Sequence, residues 1–370
     1  MKDLMDALFI VLIIITVFQL CVYWLVYRRL AFYNVKENKQ NAKPVSVIIC
    51  ARNESICLRK HLQAVLEQDY SHYEVIVVND CSWDETGLVL DEFSKRYSHL
   101  KIVTIKEQEK YRHGKKFALT LGIKAASNEF LIMTDADCVP AGKNWLSLMQ
   151  RNFSDKKEIV LGYGSYSKEA GIINKFIRFD SLFIAMQYLS SALNGNAYMG
   201  VGRNLAYKKS LFFQSKGFAK HNHILSGDDD LFINENSTAT NTAIEIDKEA
   251  ITYSEPKKTF STWFAQKKRH MSTAKYYKGS HKFSLALQNG SSLVFYLLLI
   301  ALLILRFEWR ILLSLYAISI LFRFPIIYKV TKKLNEKDLV WAFPVLDIIH
   351  SFLQPVFFTA NLLTKQNTWK

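Results

Sequence analysis

Long apolar segments lie at both ends of this chain, and they constrain its fold more than any other feature of the sequence. Residues 8–26 carry no charge, and an uncharged helix of about 19 residues can cross the roughly 30 Å core of a bilayer. Arg28 and Arg29 follow this segment where a cleaved signal peptide would have a small-residue site. We therefore expect residues 1–30 to be an uncleaved transmembrane anchor.

Three more apolar stretches follow near the C-terminus, at residues 292–305, 311–330 and 339–363. The first is short and prolines interrupt the other two, so one of them could be re-entrant or lie in the membrane interface. We expect a C-terminal membrane domain over residues 285–365 with about three apolar helices.

Basic residues cluster on two of the segments that flank these spans. The clusters are Arg28, Arg29, Lys36 and Lys39 after the first span, and Lys329, Lys332, Lys333 and Lys337 between the third and fourth. The positive-inside rule places both clusters in the cytosol. We expect an integral protein of the plasma (inner) membrane whose central region, residues 43–277, is cytosolic.

Charge and cysteine content exclude two classes of function. The net charge of +15 suits anionic lipids and phosphorylated ligands, but no basic and aromatic motif typical of nucleic-acid binding accompanies it. The five cysteines show no Cys-x-x-Cys spacing, so we expect reduced thiols and no zinc site. The oligomeric state is left open by the sequence.

The central region alternates short β-branched runs with helical stretches, which is typical of an α/β fold with a mostly parallel sheet. The predicted strands are residues 45–50, 73–78, 101–105 and 130–134, and the predicted helices are residues 54–68, 86–97 and 115–126. Polar clusters follow three of the strands, where such sheets bind ligands. The glycine-rich dinucleotide fingerprint is missing from the first turn, which disfavours a nicotinamide enzyme.

Asp135-Ala136-Asp137 is the polar cluster with the clearest chemistry. It ends the apolar run of residues 130–134 and precedes a Cys-Val-Pro segment that cannot continue that strand. Carboxylates at i and i+2 at a strand end can face one cleft and hold a hard divalent cation, which could neutralise a diphosphate.

Taken in order, six motifs make residues 44–277 resemble the family 2 glycosyltransferases, which act on nucleotide sugars and have the Rossmann-like A-type (GT-A) fold. The motifs are residues 45–54, residues 77–86, Gly114-Lys115, the Asp135-Ala136-Asp137 sequence, residues 227–230 (Gly-Asp-Asp-Asp) and the segment from Gln266 to His270 that ends this set. The resemblance implies a GT-A domain between the two membrane regions.

The resemblance also implies a donor site. Its predicted residues are Ala51, Arg52, Asn53, Glu54, Asp80, Lys115, Asp135, Gln266 and Arg269. Asp80 would contact the base, Lys115 a phosphate, and Arg269 the diphosphate. Asp137 would be the principal ligand of Mg²⁺ or Mn²⁺, with Asp135 beside it. Asp80 could instead cap a helix, and Lys115 could be a solvated surface lysine.

The resemblance places the catalytic base in residues 227–230. We expect Asp229 to take the proton of the acceptor hydroxyl, with Asp228 as its competitor. Repulsion among adjacent carboxylates would raise the pKa of one of them. The alternative is that these acids only cap a helix.

Residues 198–207 resemble the acceptor side of the family's pocket, which implies Gly202 and Asn204 as acceptor-side residues. His270 replaces the tryptophan that ends the family's Gln-x-x-Arg-Trp motif, so aromatic stacking under an acceptor sugar is in doubt. We expect Trp263 to anchor its helix at the membrane surface. A helix predicted over residues 172–193 could be core or interfacial.

The function implied is an inverting, metal-dependent transfer of a hexosyl or N-acetylhexosaminyl group from a nucleotide sugar, with UDP expected, to a membrane-associated lipid or lipid-linked glycan. A processive polysaccharide synthase of the same family is the alternative. A non-catalytic membrane scaffold would need broken acids, and a nucleotidyltransferase would need a glycine-rich phosphate loop at the first strand.

Overall fold

The computed structural model describes residues 2–35, 42–106, 114–224 and 226–363. Lys36 and Lys39, and the last two residues of the predicted membrane domain, lie outside these ranges. The helices are α1 (Lys2–Cys21), α2 (Arg28–Ala31), α3 (Ser55–Leu66), α4 (Thr86–Ser94), α5 (Lys115–Ala125), α6 (Trp145–Gln150), α7 (Ile172–Leu193), α8 (Lys209–Gln214), α9 (Asp230–Asn236), α10 (Phe260–Met271), α11 (Gly279–Ile304), α12 (Trp309–Lys333) and α13 (Phe343–Leu363).

Ten strands form two sheets in the described part of the chain. They are β1 (Val45–Ala51), β2 (Tyr73–Asp80), β3 (Leu100–Ile105), β4 (Phe130–Asp135), β5 (Cys138–Pro140), β6 (Ile159–Leu161), β7 (Gly164–Tyr166), β8 (Leu205–Lys208), β9 (Thr242–Ile244) and β10 (Thr252–Ser254). The large sheet has the order β3-β2-β1-β4-β8-β6-β9, and the small one β5-β10-β7.

The large sheet is mostly parallel, as predicted. β1 pairs in parallel with β2 and with β4, and β2 pairs in parallel with β3. Only β8 runs antiparallel to its neighbours β4 and β6. The four strands predicted from the sequence all form, and the helices between them end two or three residues earlier than predicted in α3 and α4.

Helices cover both faces of this sheet, which explains why its strands are continuous apolar runs. Val45, Val47 and Ile49 of β1 pack on one face with residues of α3, α4 and α6, whereas Ile48 packs on the other with residues of α5, α7 and α9. A Cβ at Gly122 of α5 would lie 2.7 Å from the Ile48 side chain. Glycine therefore permits the close approach of α5 to the sheet.

The helix predicted over residues 172–193 is α7, with the same bounds. Most of its residues are buried, and Arg178 donates from Nε to Glu336 over 3.0 Å and pairs with Asp338 over 2.6 Å. Arg178 therefore faces protein and not lipid, so α7 belongs mainly to the core.

Within the described residues, four helices are long and apolar enough to cross a membrane, as predicted. The candidate spans are Lys2–Ala31, Gly279–Ile304, Trp309–Lys333 and Phe343–Asn361. The first includes a π-helical turn at Val22–Tyr27. Each of the last three is a continuous helix, although Pro325 and Pro355 lie inside α12 and α13.

One buried charge cluster joins all four spans. Arg323 of α12 lies 3.2 Å from the carboxylate of Asp347 on α13, and Tyr296 of α11 donates to the same oxygen over 2.6 Å. The Arg323 guanidinium also lies 5.6 Å from the ring centre of Tyr23 in the first span. A charge inside an apolar bundle must be paired, so these contacts fix how the helices pack.

The segment between α12 and α13 touches the central domain, which we define as residues 45–277. Glu336 accepts from Ser165 over 2.5 Å and pairs with Arg178 of α7. Lys333 donates to the carbonyl of Tyr33, just after the first span, over 2.5 Å. The basic end of α12, the end of the first span and the central domain therefore lie on the same side of the bundle.

Candidate active site

The carboxyl ends of three parallel strands define a cleft. Ala51 ends β1, Asp80 ends β2 and Asp135 ends β4, and these strands are neighbours in the sheet. Ala51 and Asp80 are fully buried. The central edge of a parallel sheet is where α/β folds bind their ligands, so the predicted donor residues from different parts of the chain meet at one place.

The loops after β1 and β2 hold each other in place. The amide of Asn53 donates to the Ser82 hydroxyl over 3.0 Å, and the amide of Trp83 donates to the Asn53 side chain over 3.0 Å. Asp84 accepts from the amides of Ser55 and Thr86, so it stabilises the turns that lead into α3 and α4. These hydrogen bonds join the two loops next to Asp80.

Lys115 lies at the centre of the cleft and links two of the predicted motifs. Its Nζ is 2.9 Å from Asp135 Oδ1 and 2.9 Å from Asp228 Oδ2. Burial disfavours the ammonium, but Asp135, Asp228 and Asp229 outweigh it and raise the pKa of Lys115 well above its usual value. Lys115 is thus a permanent cation among carboxylates and not the solvated surface lysine that the sequence left possible.

Three consecutive acids enter the cleft region, and each has a different neighbour. Asp228 pairs with Lys115. Asp229 is the N-cap of α9, where it accepts from the Asp230 amide over 2.7 Å and from the Gly202 amide over 2.8 Å. Asp230 turns away and accepts from the hydroxyls of Thr273 and Tyr277, which lie after α10.

Asp229 has the environment of a general base. Burial, followed by the negative charges of Asp228 and Asp230, raises its pKa to about 7, although Lys115 acts in the opposite direction. A carboxyl that titrates near neutral pH can take up a proton during a reaction and release it afterwards. Helix capping and this role are compatible, because Asp229 lines the same cleft as Lys115, Asp135 and Gly202.

Asp135 and Asp137 form a site that fits a divalent cation. Ligand atoms of Asp135, Asp137 and Cys138 lie within 4.8 Å of one another. Burial and the charge of Asp135 raise the pKa of Asp137. A cation bound between the two carboxylates would relieve their mutual repulsion. Burial also raises the pKa of the Cys138 thiol, so the two carboxylates are the hard ligands that Mg²⁺ or Mn²⁺ prefers.

Arg203 is a residue of the site that the sequence did not single out. It donates to the Ser165 carbonyl over 3.0 Å and to the Ser254 hydroxyl over 3.1 Å, and it stacks on Tyr166 with 4.3 Å to the ring centre. Its charge, after that of Lys115, helps to lower the pKa of Asp135, and at Asp137 it opposes the rise in pKa that burial and Asp135 cause. In the sequence, the signal for Arg203 was a basic residue inside the predicted acceptor motif. Its distance from Asp135 and Asp137 depends on the packing of the second sheet.

The two predicted acceptor-side residues differ in the structure. Gly202 lines the cleft, and a Cβ there would lie 3.4 Å from both Asp229 Oδ2 and Lys115 Nζ. Asn204 is fully buried; it accepts from the Trp145 indole and donates to the carbonyls of Tyr163 and Ala250. The acceptor role predicted for Asn204 is therefore corrected: all its polar atoms hold the fold together.

Helix α10 carries the last predicted motif along the edge of the cleft. Burial, followed by the charge of Arg269 and the charges of Arg203 and Lys115 in the cleft, lowers the pKa of His270 to about 3, so the ring is neutral and this end of α10 lies beside the cleft. Trp263 is buried against Phe176 and Phe357, so it anchors α10 to α7 and α13 and not to the membrane surface as predicted.

Residues 46–213 match the family model for glycosyl transferase family 2. This region is a family 2 glycosyltransferase domain. The strand-end acids, Lys115 and Gly202 all lie within the matched range, whereas Asp229 and α10 lie beyond it.

Curated relatives of this region are a glycosyltransferase and a polysaccharide synthase by name. The chain is 27% identical over 241 residues to a probable glycosyltransferase, YdaM, of Bacillus subtilis, covering 63% of this chain and 56% of the relative. It is 35% identical over 105 residues to the poly-β-1,6-N-acetyl-D-glucosamine synthase of Staphylococcus epidermidis, covering 28% and 24% of the two chains. The chain thus spans about half or less of the length of these relatives.

A solved structure shares the fold of the whole chain. The mannosyltransferase PcManGT of Pyrobaculum calidifontis, solved with GDP-Man and Mn²⁺, superposes with a TM-score of 0.59 at 17% identity and covers 95% of this chain and 99% of that one. The GT-A fold expected from the sequence is confirmed, including its combination with the terminal apolar helices.

Proposed function

We propose that this protein is an inverting glycosyltransferase that moves a sugar from a nucleotide donor, a UDP-sugar, to a membrane-associated acceptor such as a lipid or a lipid-linked glycan. The observation that carries the proposal is the position of Asp229, a carboxylate with a raised pKa across one cleft from Lys115 and the Asp135–Asp137 pair. A base on one side of the cleft and cation-binding groups on the other suit a reaction in which the acceptor hydroxyl attacks the anomeric carbon on the face opposite the departing diphosphate.

The donor would lie along the strand ends. The base would reach Asp80 and the loop of Arg52, Asn53 and Glu54, and the diphosphate would lie between Lys115 and Arg269. When bound, Mg²⁺ or Mn²⁺ held by Asp137 and Asp135 would neutralise charge on the departing nucleoside diphosphate. Lys115 is now shared by two carboxylates and would contribute to the same charge neutralisation by turning to a phosphate oxygen.

Asp229 would act on the acceptor. Its carboxylate would accept the proton of the acceptor hydroxyl while that oxygen forms a bond to the anomeric carbon and the bond from this carbon to the diphosphate breaks. The amide of Gly202 already donates to Asp229 and orients it toward the cleft. Bond formation on the face opposite the leaving group inverts the configuration at the anomeric carbon.

The position of the cleft supports a membrane-associated acceptor. Asp230, next to the base, is hydrogen-bonded to Thr273 and Tyr277, and the candidate span α11 begins two residues after Tyr277. A residue that contacts the acidic cluster of the cleft, Tyr277, is therefore only two residues before a candidate membrane span. A hydroxyl carried on a lipid can reach such a site without leaving the bilayer, whereas a fully soluble acceptor gains nothing from this placement.

A processive polysaccharide synthase is the second candidate, and the match to the poly-N-acetylglucosamine synthase favours it. His270 in place of tryptophan and the four candidate spans in the described part of the chain favour single addition. Product length distinguishes the two: one added sugar per acceptor supports the first proposal, and a ladder of products supports the second.

The test is a panel of UDP- and GDP-sugars given to the full chain in lipid bilayers, with radiolabelled transfer to lipid extracts as the measurement. We expect turnover of a UDP-sugar that chelation with EDTA abolishes and that Mg²⁺ or Mn²⁺ restores. Asp137→Ala should lose this activity. Turnover of no donor, or turnover that both EDTA and Asp137→Ala leave unchanged, would refute the proposed mechanism.

A further inference from the structure

A buried carboxylate joins three helices beside the cleft. Asp180 of α7 accepts from Lys267 of α10, whose Nζ lies 2.7 Å from both carboxylate oxygens. His350 of α13 lies with Nε2 3.2 Å from Asp180 Oδ1. All three side chains are at least nine-tenths buried, so water does not weaken these contacts.

The same face of α10 packs on α13 through aromatic rings. Phe264 stacks on Phe357 with 4.7 Å between ring centres, and Trp263 meets Phe357 edge-on at 5.4 Å. Trp263 and Lys267 are four residues apart and therefore share one helix face. Helix α10 is thus attached to a candidate membrane span by both an ionic and an aromatic contact.

The other face of α10 carries the residues predicted to close the donor site. Gln266 and Arg269 are three residues apart and share a face, which at 100° per residue lies roughly opposite Lys267. His270, the next residue, is close enough to Arg203 and Lys115 to interact with their charges, so this end of α10 borders the cleft. The ion pair that holds Lys267 on one face of α10 therefore sets the direction of Gln266 and Arg269 on the other face.

We propose that Asp180, Lys267 and His350 are positioning residues that hold α10 in the orientation in which Gln266 and Arg269 reach the donor. This inference rests on the proposed function, because it takes the donor to lie beside these two residues. Aromatic packing alone tolerates sliding and rotation, whereas a buried lysine has a single acceptable partner. The ionic contact therefore supplies the specificity of the orientation.

The test uses the full chain in lipid bilayers and the double variant Lys267→Met/Asp180→Leu. Removing both charges leaves neither of them buried alone, so the variant is expected to fold. We expect the donor KM to rise roughly 10- to 100-fold. The rate at saturating donor should change little, and hydrogen exchange in α10 should become faster. An unchanged KM together with unchanged exchange in α10 would overturn the inference.

Glu336→Gln is the matched control. Glu336 is also fully buried and pairs with Arg178 of the same helix α7, and its other hydrogen-bond partners, Ser165 and Tyr163, also lie outside α10. It should lower the unfolding temperature and leave the donor KM unchanged. An equal rise of KM in this control would show a nonspecific effect and overturn the inference.

Arg269→Ala separates this inference from the proposed function. If it leaves the donor KM unchanged, the proposed contact between α10 and the donor fails, and the positioning role fails with it. If it raises KM while the double variant behaves as the wild type, only the positioning role fails. A rise of KM in both variants, with Glu336→Gln unaffected, is the expected result.

Discussion

At the scale of single residues, the three acids after Gly227 show how position changes the chemistry of one side chain. Asp228 neutralises Lys115, Asp229 caps α9 with a raised pKa, and Asp230 binds two hydroxyls. The sequence predicted that one of them would have a raised pKa but left the choice between Asp228 and Asp229 open. The ion pair of Asp228 with Lys115 is the contact that favours Asp229.

Asp229→Asn should therefore stop transfer and spare donor binding. Loss of a general base lowers the rate by about 10²- to 10⁴-fold, while the asparagine can still accept from the Gly202 amide. The measurements are transfer rate and nucleotide affinity by calorimetry. Asp228→Asn is the comparison: if it alone stops transfer with donor binding intact, the base has been assigned to the wrong acid.

The pH dependence of transfer follows from the same group. The base must be deprotonated, and its pKa is about 7. The rate at saturating donor should fall about tenfold for each pH unit below that value and level off above it. A profile that is flat between about pH 5.5 and 8 would contradict a base with this pKa.

The titration of Asp229 should affect stability and activity in opposite directions: raising the pH through 7 increases the transfer rate and lowers the stability of the fold. The folded-state pKa of Asp229 lies above the unfolded value of about 4, so the folded protein binds the extra proton. This group's contribution is most favourable below about pH 4 and is lost as pH rises through 7.

At the scale of elements, Asn204 joins parts of the fold that are distant in sequence. It precedes β8 and binds Trp145 of α6, the carbonyl of Tyr163 between β6 and β7, and the carbonyl of Ala250 before β10. The resemblance of residues 198–207 to the acceptor side of the family's pocket suggested an acceptor contact. Only the packing of the two sheets shows that its side chain points into the core.

Asn204→Ala should destabilise the fold by roughly 3 kcal/mol, because it leaves an indole donor and two carbonyls buried without partners. Thermal unfolding measures this loss. Asn236→Ala, which removes one bond to Phe232 within α9, should cost less than about 1 kcal/mol. A stable Asn204→Ala protein with a raised acceptor KM would instead restore the acceptor role.

At the scale of the whole molecule, the contacts of the α12–α13 segment fix which ends of the spans lie together. Lys333 and Glu336 touch Tyr33 and Arg178, so the loop between α12 and α13 lies beside the central domain. The loop between α11 and α12 lies at the opposite end of α12, so the length of a span separates it from the central domain. The positive-inside rule then predicts a cytosolic central domain.

Cysteine labelling tests this topology. In a background without native cysteines, an impermeant maleimide should label Phe307→Cys in intact cells, since this residue lies between α11 and α12. Asn335→Cys, between α12 and α13, should react only after lysis. The reverse pattern would place the active-site cleft outside the cytosol and remove its access to cytosolic nucleotide sugars.

The sequence by itself determined the local features: four apolar helices, the strands β1 to β4, the acids at their ends and the helix after Gly227. These depend on periodicity, span length and turn chemistry, which act over a few residues. The tertiary structure decided everything that joins distant segments, namely the pairing of Lys115 with Asp135 and Asp228, the place of Arg203, the burial of Asn204 and the contacts of α10 with α7 and α13. Such contacts depend on how sheets and helices pack, and a buried charge finds its partner only when that packing is complete.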